Sequence, residues 1–434
     1  MNNLISKIPL TDKPRIVIVG GGFAGLKLAM KLSKSDFQII LLDKNNYHQF
    51  QPLFYQVATA GLEPSSISFP LRKIFQKHHN IQFRVAEVQS VDAANKEIIT
   101  NIGKLSYQYL VLALGADTNF YGMKDIEANA IPMKSTPEAL FIRNTILMNY
   151  ETAVNINDPD EETALMNIVI VGGGPTGVEL AGALAEMRKY VLPKDYPELD
   201  FTNMKIYLLE ANSRLLKTMK ERSSNRALRY LQNLGVNVRL NASVKSFDGG
   251  IVALNDGTAF KTRTLLWAAG IKANEIAGFD QELYGPGRRL SVNEFLQIGK
   301  FPEVFVMGDM AFLKTEDYPN GHPQVAQTAI QQAKLIAKNL VRAGKGKQMH
   351  SFKYKDKGSL ATIGRNMGVA DLPGISLFGF TAWFVWIFVH LMAILGQKNK
   401  ILIFINWLWN YFTYDQSLRL ILRQVQYKQN KTYE

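Results

Sequence analysis

Arg15-Ile16-Val17-Ile18-Val19-Gly20-Gly21-Gly22-Phe23-Ala24-Gly25 is the stretch that decides how this chain folds. Its branched apolar opening reads as a buried strand, and Leu26–Ser33 reads as a helix, so the glycines form Gly-x-Gly-x-x-Gly between the two. Gly20 permits the tight turn, Gly22 lets a pyrophosphate approach the backbone, and Gly25 lets the helix pack on the strand. The helix N-terminus offers N–H groups and about half a positive charge to phosphates. A second strand, Gln38–Leu42, ends in Asp43, 23 residues after Gly20, where a carboxylate accepts hydrogen bonds from ribose hydroxyls. Phe23 and Ala24 within the turn, and Lys44 beside the acid, complete this candidate site.

The pattern recurs 152 residues later. Asn167–Val171 leads into Gly172-Gly173-Gly174-Pro175-Thr176-Gly177 and a helical stretch carrying Glu179. The matching acid, Glu210, ends Ile206–Leu209 and lies 38 residues after Gly172. The added length fits an insertion around Tyr190–Asn203, whose prolines and aspartates read as loop. Glu210 is expected to hold a free ribose 2′-hydroxyl and repel a 2′-phosphate, favouring NADH over NADPH, although Arg214 nearby weakens that preference. Two such turns imply two dinucleotides. One bound tightly and one exchanging describes a flavin–nicotinamide oxidoreductase.

A chain of 434 residues predicts two or three domains, and 47% hydrophobic with 20% charged residues is an ordinary globular composition. The net charge of +13 would suit nucleic acid or an anionic membrane. No basic run lies among interleaved aromatics, which argues against nucleic acid. From Gln397 onward six Lys/Arg face two acids beside an aromatic-rich stretch, which favours a membrane surface. The absence of cysteine excludes disulfides, thiolate metal sites, iron–sulfur clusters and cysteine redox relays. His48, His78, His79, His322, His350 and His390 show no metal-ligand spacing, so no metal is expected. The strand beginning at Arg15 leaves no room for a secretion signal, so the body of the protein is expected to stay where it is made.

With both turns in place the sequence resembles the two-dinucleotide-binding-domain flavoproteins, in which the first turn holds FAD and the second NAD(P)H. Two further stretches match: Leu110-Val111-Leu112-Ala113-Leu114-Gly115-Ala116, a strand-and-glycine crossover, and Val304-Phe305-Val306-Met307-Gly308-Asp309, whose Asp contacts the FAD ribityl–diphosphate region in that family. Trp267-Ala268-Ala269-Gly270 looks like the crossover leaving the NADH domain, or else a buried strand ending in a turn. The resemblance spans roughly Arg15 to Gly346. Relatives that pass electrons through cysteine (disulfide reductases, peroxidases, sulfide–quinone reductases) are excluded.

Pro323 suits the first position of a helix running to about Ala343, and its early turns read Ala326-Gln327-Thr328-Ala329-Ile330-Gln331. Gln327 and Gln331 share a face, and small alanines let something flat approach; a solvated Ala-rich helix is the plainer reading. Ala-Gln-x-Ala-x-Gln is, however, the pattern of type II NADH dehydrogenases, where both glutamines lie beside the flavin at the quinone site. The run Asn46–Ala58 is similar to the stretch that follows the FAD acid in that family, read here as a flavin-side loop or else aromatic core. The resemblance also implies that Glu179 lies between nicotinamide and flavin, orienting them or assisting proton movement; a helix-surface Glu is the alternative. It further implies non-covalent FAD, NADH as substrate, ubiquinone or menaquinone as acceptor, monotopic membrane binding and a homodimer.

Leu372–Gln397 holds 26 residues without a formal charge, long enough to span a bilayer. Three features favour lying on the membrane instead. Gly379, Trp383, Trp386 and His390 form one face of interface-preferring groups. Ile401–Tyr414 is amphipathic, with Asn406, Asn410, Thr413 and Ser417 opposite Leu402, Ile405, Trp409 and Phe412. A single span would also put the basic tail outside, against the positive-inside bias.

The expected architecture is an α/β protein with two Rossmann-like domains, one inserted in the other, and a C-terminal amphipathic membrane-binding region. The FAD domain is placed at 1–119 and 285–345, the NADH domain at 120–284 and the membrane region at 346–434. The expected reaction is hydride transfer from NADH to FAD, then two-electron reduction of quinone without proton pumping, at the cytoplasmic face of the inner membrane. Two rival readings stay open. One is an NADH reductase for a soluble ferredoxin- or rubredoxin-like acceptor; the other is a membrane-docked flavoprotein that senses NADH.

Overall fold

Each glycine turn leaves the central strand of its own parallel sheet. The computed structural model describes residues 5–414 and 418–422, which form two units, each discontinuous in sequence. The first takes the chain up to Gln49 with Ser68–Asn119 and Gly270–Lys357; the second takes Phe50–Ile67, Phe120–Ala269 and the chain from Gly358 on.

The first unit is built on a six-stranded sheet in the order Gln297–Ile298, Phe301–Val306, Tyr109–Leu112, Arg15–Val19, Gln38–Asp43, Ile81–Val85. All pairs are parallel except the first. Its strands are nearly continuous branched apolar runs because both faces are covered, and Ile16, Val17, Ile18, Ile39, Ile40 and Leu41 are fully buried. Helix Phe23–Leu32 packs against helix Ala326–Ala343. After Gly115 and Gly270, both at positive φ, Ala116–Thr118 and Ile271–Ala273 pair antiparallel.

Two expectations need correction, one in this unit and one on a run that leaves it after Gln49. The late helix starts at Ala326, not Pro323, with extended Val325 as its N-cap. Buried His322, bonded to the Leu313 carbonyl, and Gln324, donating to the Asp309 carbonyl, anchor the preceding segment outside the helix. The Asn46–Ala58 run is not a loop. It forms strand Tyr47–Gln49, a 3-10 turn Gln51–Leu53 and helix Phe54–Ala58, with Phe50, Leu53, Phe54, Tyr55 and Val57 buried.

The second unit carries a five-stranded parallel sheet in the order Ile131–Pro132, Thr264–Trp267, Ile168–Val171, Ile206–Leu209, Asn237–Arg239. Helix Pro175–Tyr190 follows its glycine turn, and the insertion after it contains a one-turn helix, Leu192–Asp195. The antiparallel strands Ser359–Gly364, Met367–Leu372 and Ile375–Phe378 come next, the first lying across helix Pro175–Tyr190. That contact requires Gly182, where a Cβ would lie 1.6 Å from the Ile363 carbonyl oxygen. Helices Gly379–Ala393 and Gln397–Thr413 end the described fold.

The uncharged run is therefore not one helix: it starts at the end of strand Met367–Leu372, passes through strand Ile375–Phe378 and breaks at Gly396, whose φ is 77°. Among the described residues no helix is long and apolar enough to cross a membrane. The face of Trp383, Trp386 and His390, expected to meet lipid, instead turns into the unit, and Trp386 is only 2% exposed. Phe380, Phe384, Phe388, Val389 and Met392 point outward in its place. On the last helix Asn406 and Asn410 are half-buried while Leu402, Ile405, Trp409 and Phe412 are exposed, so its apolar stripe faces out. Ser417 and the basic residues Arg423, Lys428 and Lys431 lie outside the described residues. Arg419 pairs with Asp195.

Candidate functional site

In the first unit, Gly20 has a φ of 106° and a Cβ there would meet the Ala113 carbonyl oxygen at 2.3 Å; one on Gly25 would meet the Gly20 oxygen at 1.8 Å. A Cβ on Gly22 would meet nothing within 4 Å, so the turn is closed beneath and open above. Gly22 is the N-cap of helix Phe23–Leu32, whose first turn holds no acid and no capping side chain among the described residues. This cradle fits a pyrophosphate bound to backbone N–H groups. Asp43 Oδ2 accepts from Gly21 N at 2.6 Å and Oδ1 from Asn45 N at 2.7 Å, with exposed Lys44 between them. Burial pushes the Asp43 carboxyl up, against those hydrogen bonds.

The structure brings Gly308 to the same turn: a Cβ on it would sit 3.5 Å from Ala329 and 3.7 Å from Ala24. Asp309 follows in a single 3-10 turn. Sequence reasoning missed Gln332, 1% exposed, whose Oε1 accepts from Gly308 N at 2.7 Å and fixes the Gly308-Asp309 turn to the late helix. Its signal was a polar residue on the face of Ala329, Ala333 and Ile336. Ala326 opens that helix. Gln327 and Gln331 do share a face, and both are occupied by the chain itself. Gln327 accepts from Lys357 N at 3.0 Å and donates to Asp356 at 3.3 Å; Gln331 exchanges bonds with the backbone of Lys355 at 2.9 and 3.0 Å.

The second unit repeats the cradle. Gly172 has a φ of 113°, a Cβ on it would meet the Ala268 oxygen at 2.6 Å, and one on Gly177 the Gly172 oxygen at 1.9 Å. Gly174 is open, and Pro175 and Thr176 begin the helix with exposed side chains. Glu210 Oε2 accepts from Gly173 N at 2.6 Å and Oε1 from Asn212 N at 2.7 Å. Both acids therefore brace the middle glycine of their own turn, a role that spacing alone did not reveal. Arg214 donates to the Lys217 carbonyl. The Ala268-Ala269-Gly270 crossover follows the strand that abuts Gly172, as the Ala113 segment abuts Gly20.

Glu179 departs most from its plainer reading. It is not on the helix surface but 8% exposed, with Oε1 accepting from Trp386 Nε1 at 3.0 Å and from Thr362 N at 3.4 Å. Burial pushes its carboxyl up to about 8. It lines a cavity of about 130 Å³ in the second unit, together with Tyr55, Gln56, Glu186, Trp386 and Trp407. Trp407 Nε1 donates to Gln56 at 2.7 Å, so both tail helices help form this wall. Among the described residues no group of three or more His, Cys, Asp or Glu could hold a metal.

Comparison with known proteins gives this site a context. The family model described as pyridine nucleotide-disulphide oxidoreductase matches residues 14–333, and that described as NDH2 C-terminal domain matches residues 357–413. A type II NADH:quinone oxidoreductase of Mycobacterium tuberculosis is 35% identical over 408 residues, covering 91% of this chain and 87% of that protein. The type II NADH:quinone oxidoreductase of Staphylococcus aureus is 27% identical, covering 86% of this chain and 93% of its own. In fold, the chain is similar to NDH2 from Plasmodium falciparum solved with NADH, with a TM-score of 0.86, 22% identity and coverage of 95% and 100%.

Proposed function

The chain belongs to the type II NADH:quinone oxidoreductase family and is an enzyme of that class; from that premise we propose that it holds FAD non-covalently in the first unit, binds NADH in the second, and reduces a membrane quinone without pumping protons. FAD, when bound, supplies the centre that takes a hydride equivalent from NADH and releases two electrons to ubiquinone or menaquinone. What carries the reading is the duplicated cradle, two open glycine turns each braced by its own acid, in a chain with no cysteine.

The residues divide the work. Gly20, Gly22 and Gly25 admit the FAD pyrophosphate to the N–H groups of Phe23 and Ala24, with Asp43 and Lys44 at the ribose and Gly115, Ala326 and Asp309 completing the FAD set. Gly172, Gly174 and Gly177 do the same for NADH with Pro175 and Thr176, Glu210 rejects a 2′-phosphate, and Ala269 and Gly270 close that site. Glu179, kept protonated by burial, is the group to hold or move a proton near the reacting rings. Gln327 and Gln331 are assigned to the quinone side. The outward faces around Phe384, Phe388, Leu402 and Trp409 are apolar enough to lie in the cytoplasmic leaflet, and we read the protein as a peripheral homodimer there.

The test is direct. The purified protein should release FAD on denaturation and oxidise NADH faster with lipophilic quinone analogues than with ferredoxin or rubredoxin. Release of FMN, or preference for the soluble proteins, would sink this reading.

A further inference from the structure

This inference rests on the function proposed above. In NADH + H⁺ + quinone → NAD⁺ + quinol, hydride carries two electrons and one proton, so one further proton per turnover comes from water. Something in the protein must bring it in.

Glu179 has a counterpart for that task. Glu186 lies seven residues along the same helix, two turns and about 10.5 Å away on the same face. Both carboxyls line the same cavity of about 130 Å³, which has room for several waters. They sit at different depths: Glu179 is buried, whereas Glu186 is half-buried. Each carboxyl is held by one oxygen only, Glu179 Oε1 by Trp386 and Thr362, Glu186 Oε1 by Arg365 N at 2.6 Å. Among the described residues neither Oε2 has a protein hydrogen-bond partner.

The groups facing this pair suit proton passage. Burial, with a smaller contribution from both carboxyls, pushes the Tyr55 phenol up, so it keeps its proton, and its hydroxyl accepts from Gln56 at 2.8 Å. His390 stacks on Trp386 at 4.0 Å and is pushed down to about 4 by burial, so it stays neutral and does not compete. Arg365 is the cation facing Glu186 and lowers its carboxyl, but burial outweighs this and the net direction is up. Its guanidinium is committed to the Asn410 and Tyr411 carbonyls at the end of the last helix. Tyr411 lines the same cavity.

We propose that Glu186 and the cavity it shares with Glu179 are the intake of a proton path. A solvent proton binds the Glu186 carboxylate, crosses on water hydrogen-bonded along Tyr55 and Gln56, and is delivered to Glu179. At each step one O–H bond breaks as the next forms; no electron travels this way. In this path Glu186 acts through Glu179.

The test uses the full-length, flavin-loaded protein in lipid vesicles with Glu186→Gln, Glu186→Asp and Ala183→Leu. Ala183 lines the cavity between the two carboxyls, so a Leu there fills the space for water. Glu186→Gln should slow quinone turnover about tenfold or more at about pH 8 and less at about pH 6, with an enlarged solvent deuterium isotope effect. Anaerobic flavin bleaching by NADH, which takes no solvent proton, should stay within about twofold of the parent rate. Glu186→Asp should retain most turnover, and added acetate or azide should rescue Glu186→Gln. Ala183→Leu should reproduce the slow phase, which keeps the proposal open to refutation even if Glu186→Gln folds poorly. Parent-like rates, pH profile and isotope effect in Glu186→Gln or in Ala183→Leu overturn the path alone. A parent protein that bleaches with NADH yet fails to reduce quinone overturns the functional reading itself.

Discussion

A buried carboxyl that keeps its proton at neutral pH leaves a mark on stability. Glu179 titrates near 4.5 when unfolded and at about 8 when folded, so the folded state binds its proton more tightly. The stabilisation from that proton is complete below about pH 4.5 and is lost as pH rises through about 8, at up to about 1.4 kcal/mol per pH unit. Denaturant titrations should show this slope in the parent and a flatter one in Glu179→Gln. Trp386→Phe removes one of the two donors that lower this carboxyl, leaving Thr362 N, so the window should extend upward; an unchanged profile would mean that the Trp386 bond does not reach the titrating form. At the same scale, Glu210 both brackets the Gly173 N–H and faces the place expected for a 2′-substituent. Glu210→Gln keeps an acceptor on that N–H and should narrow the ratio of kcat/KM for NADH over NADPH with little loss of stability. Glu210→Ala should narrow it too while orphaning the N–H, at about 1–3 kcal/mol. Equal use of both cofactors by the parent would defeat the assignment.

At the scale of elements, the helix Ala326–Ala343 and the tail helices each do more than their patterns announce. Gln327 and Gln331 hold the backbone of Lys355 and Lys357 against the helix. Gln327→Ala or Gln331→Leu should therefore speed tryptic cutting at Lys355 and Lys357 as well as slow quinone reduction, with NADH-driven flavin bleaching intact. Slow bleaching in equal measure would remove these glutamines from the acceptor side. The tail was legible as two amphipathic helices, but not which face turns inward. Periodicity groups Trp383, Trp386 and His390 on one stripe and Phe384 and Phe388 on another, and both stripes are apolar. A buried Glu that needs a donor decides between them, and the Trp stripe goes in. Phe384 and Phe388, 56% and 58% exposed, are then the residues to change. Each fully buried Phe contributes about 1.5–3 kcal/mol, so Phe384→Glu and Phe388→Glu should each weaken vesicle binding roughly tenfold or more while leaving the melting temperature nearly unchanged. Retention on vesicles in both variants would move the docking face elsewhere.

For the whole molecule the same geometry limits what can be cut away. Cutting near Lys347 to make a soluble enzyme would strip strands Ser359–Gly364 and Met367–Leu372 from the second unit, leaving helix Pro175–Tyr190 bare and Glu179 without Trp386. The sequence by itself determined the two cradles, because a Gly-x-Gly-x-x-Gly turn is local chemistry: a positive φ at the first glycine, an open third and a close helix at the sixth are read within six residues. It also determined, by holding no cysteine, that electrons leave without a thiol relay. The partners of Gly308, Glu179 and Gly182 were decided only by tertiary structure. Gln332 is 24 residues from Gly308, Trp386 is 207 from Glu179, and Ile363 follows Gly182 by 181. Helical and strand periods report which residues share a face. They carry no information about which distant face will exclude water from it, and that exclusion is what turns an ordinary helix glutamate into a buried acid.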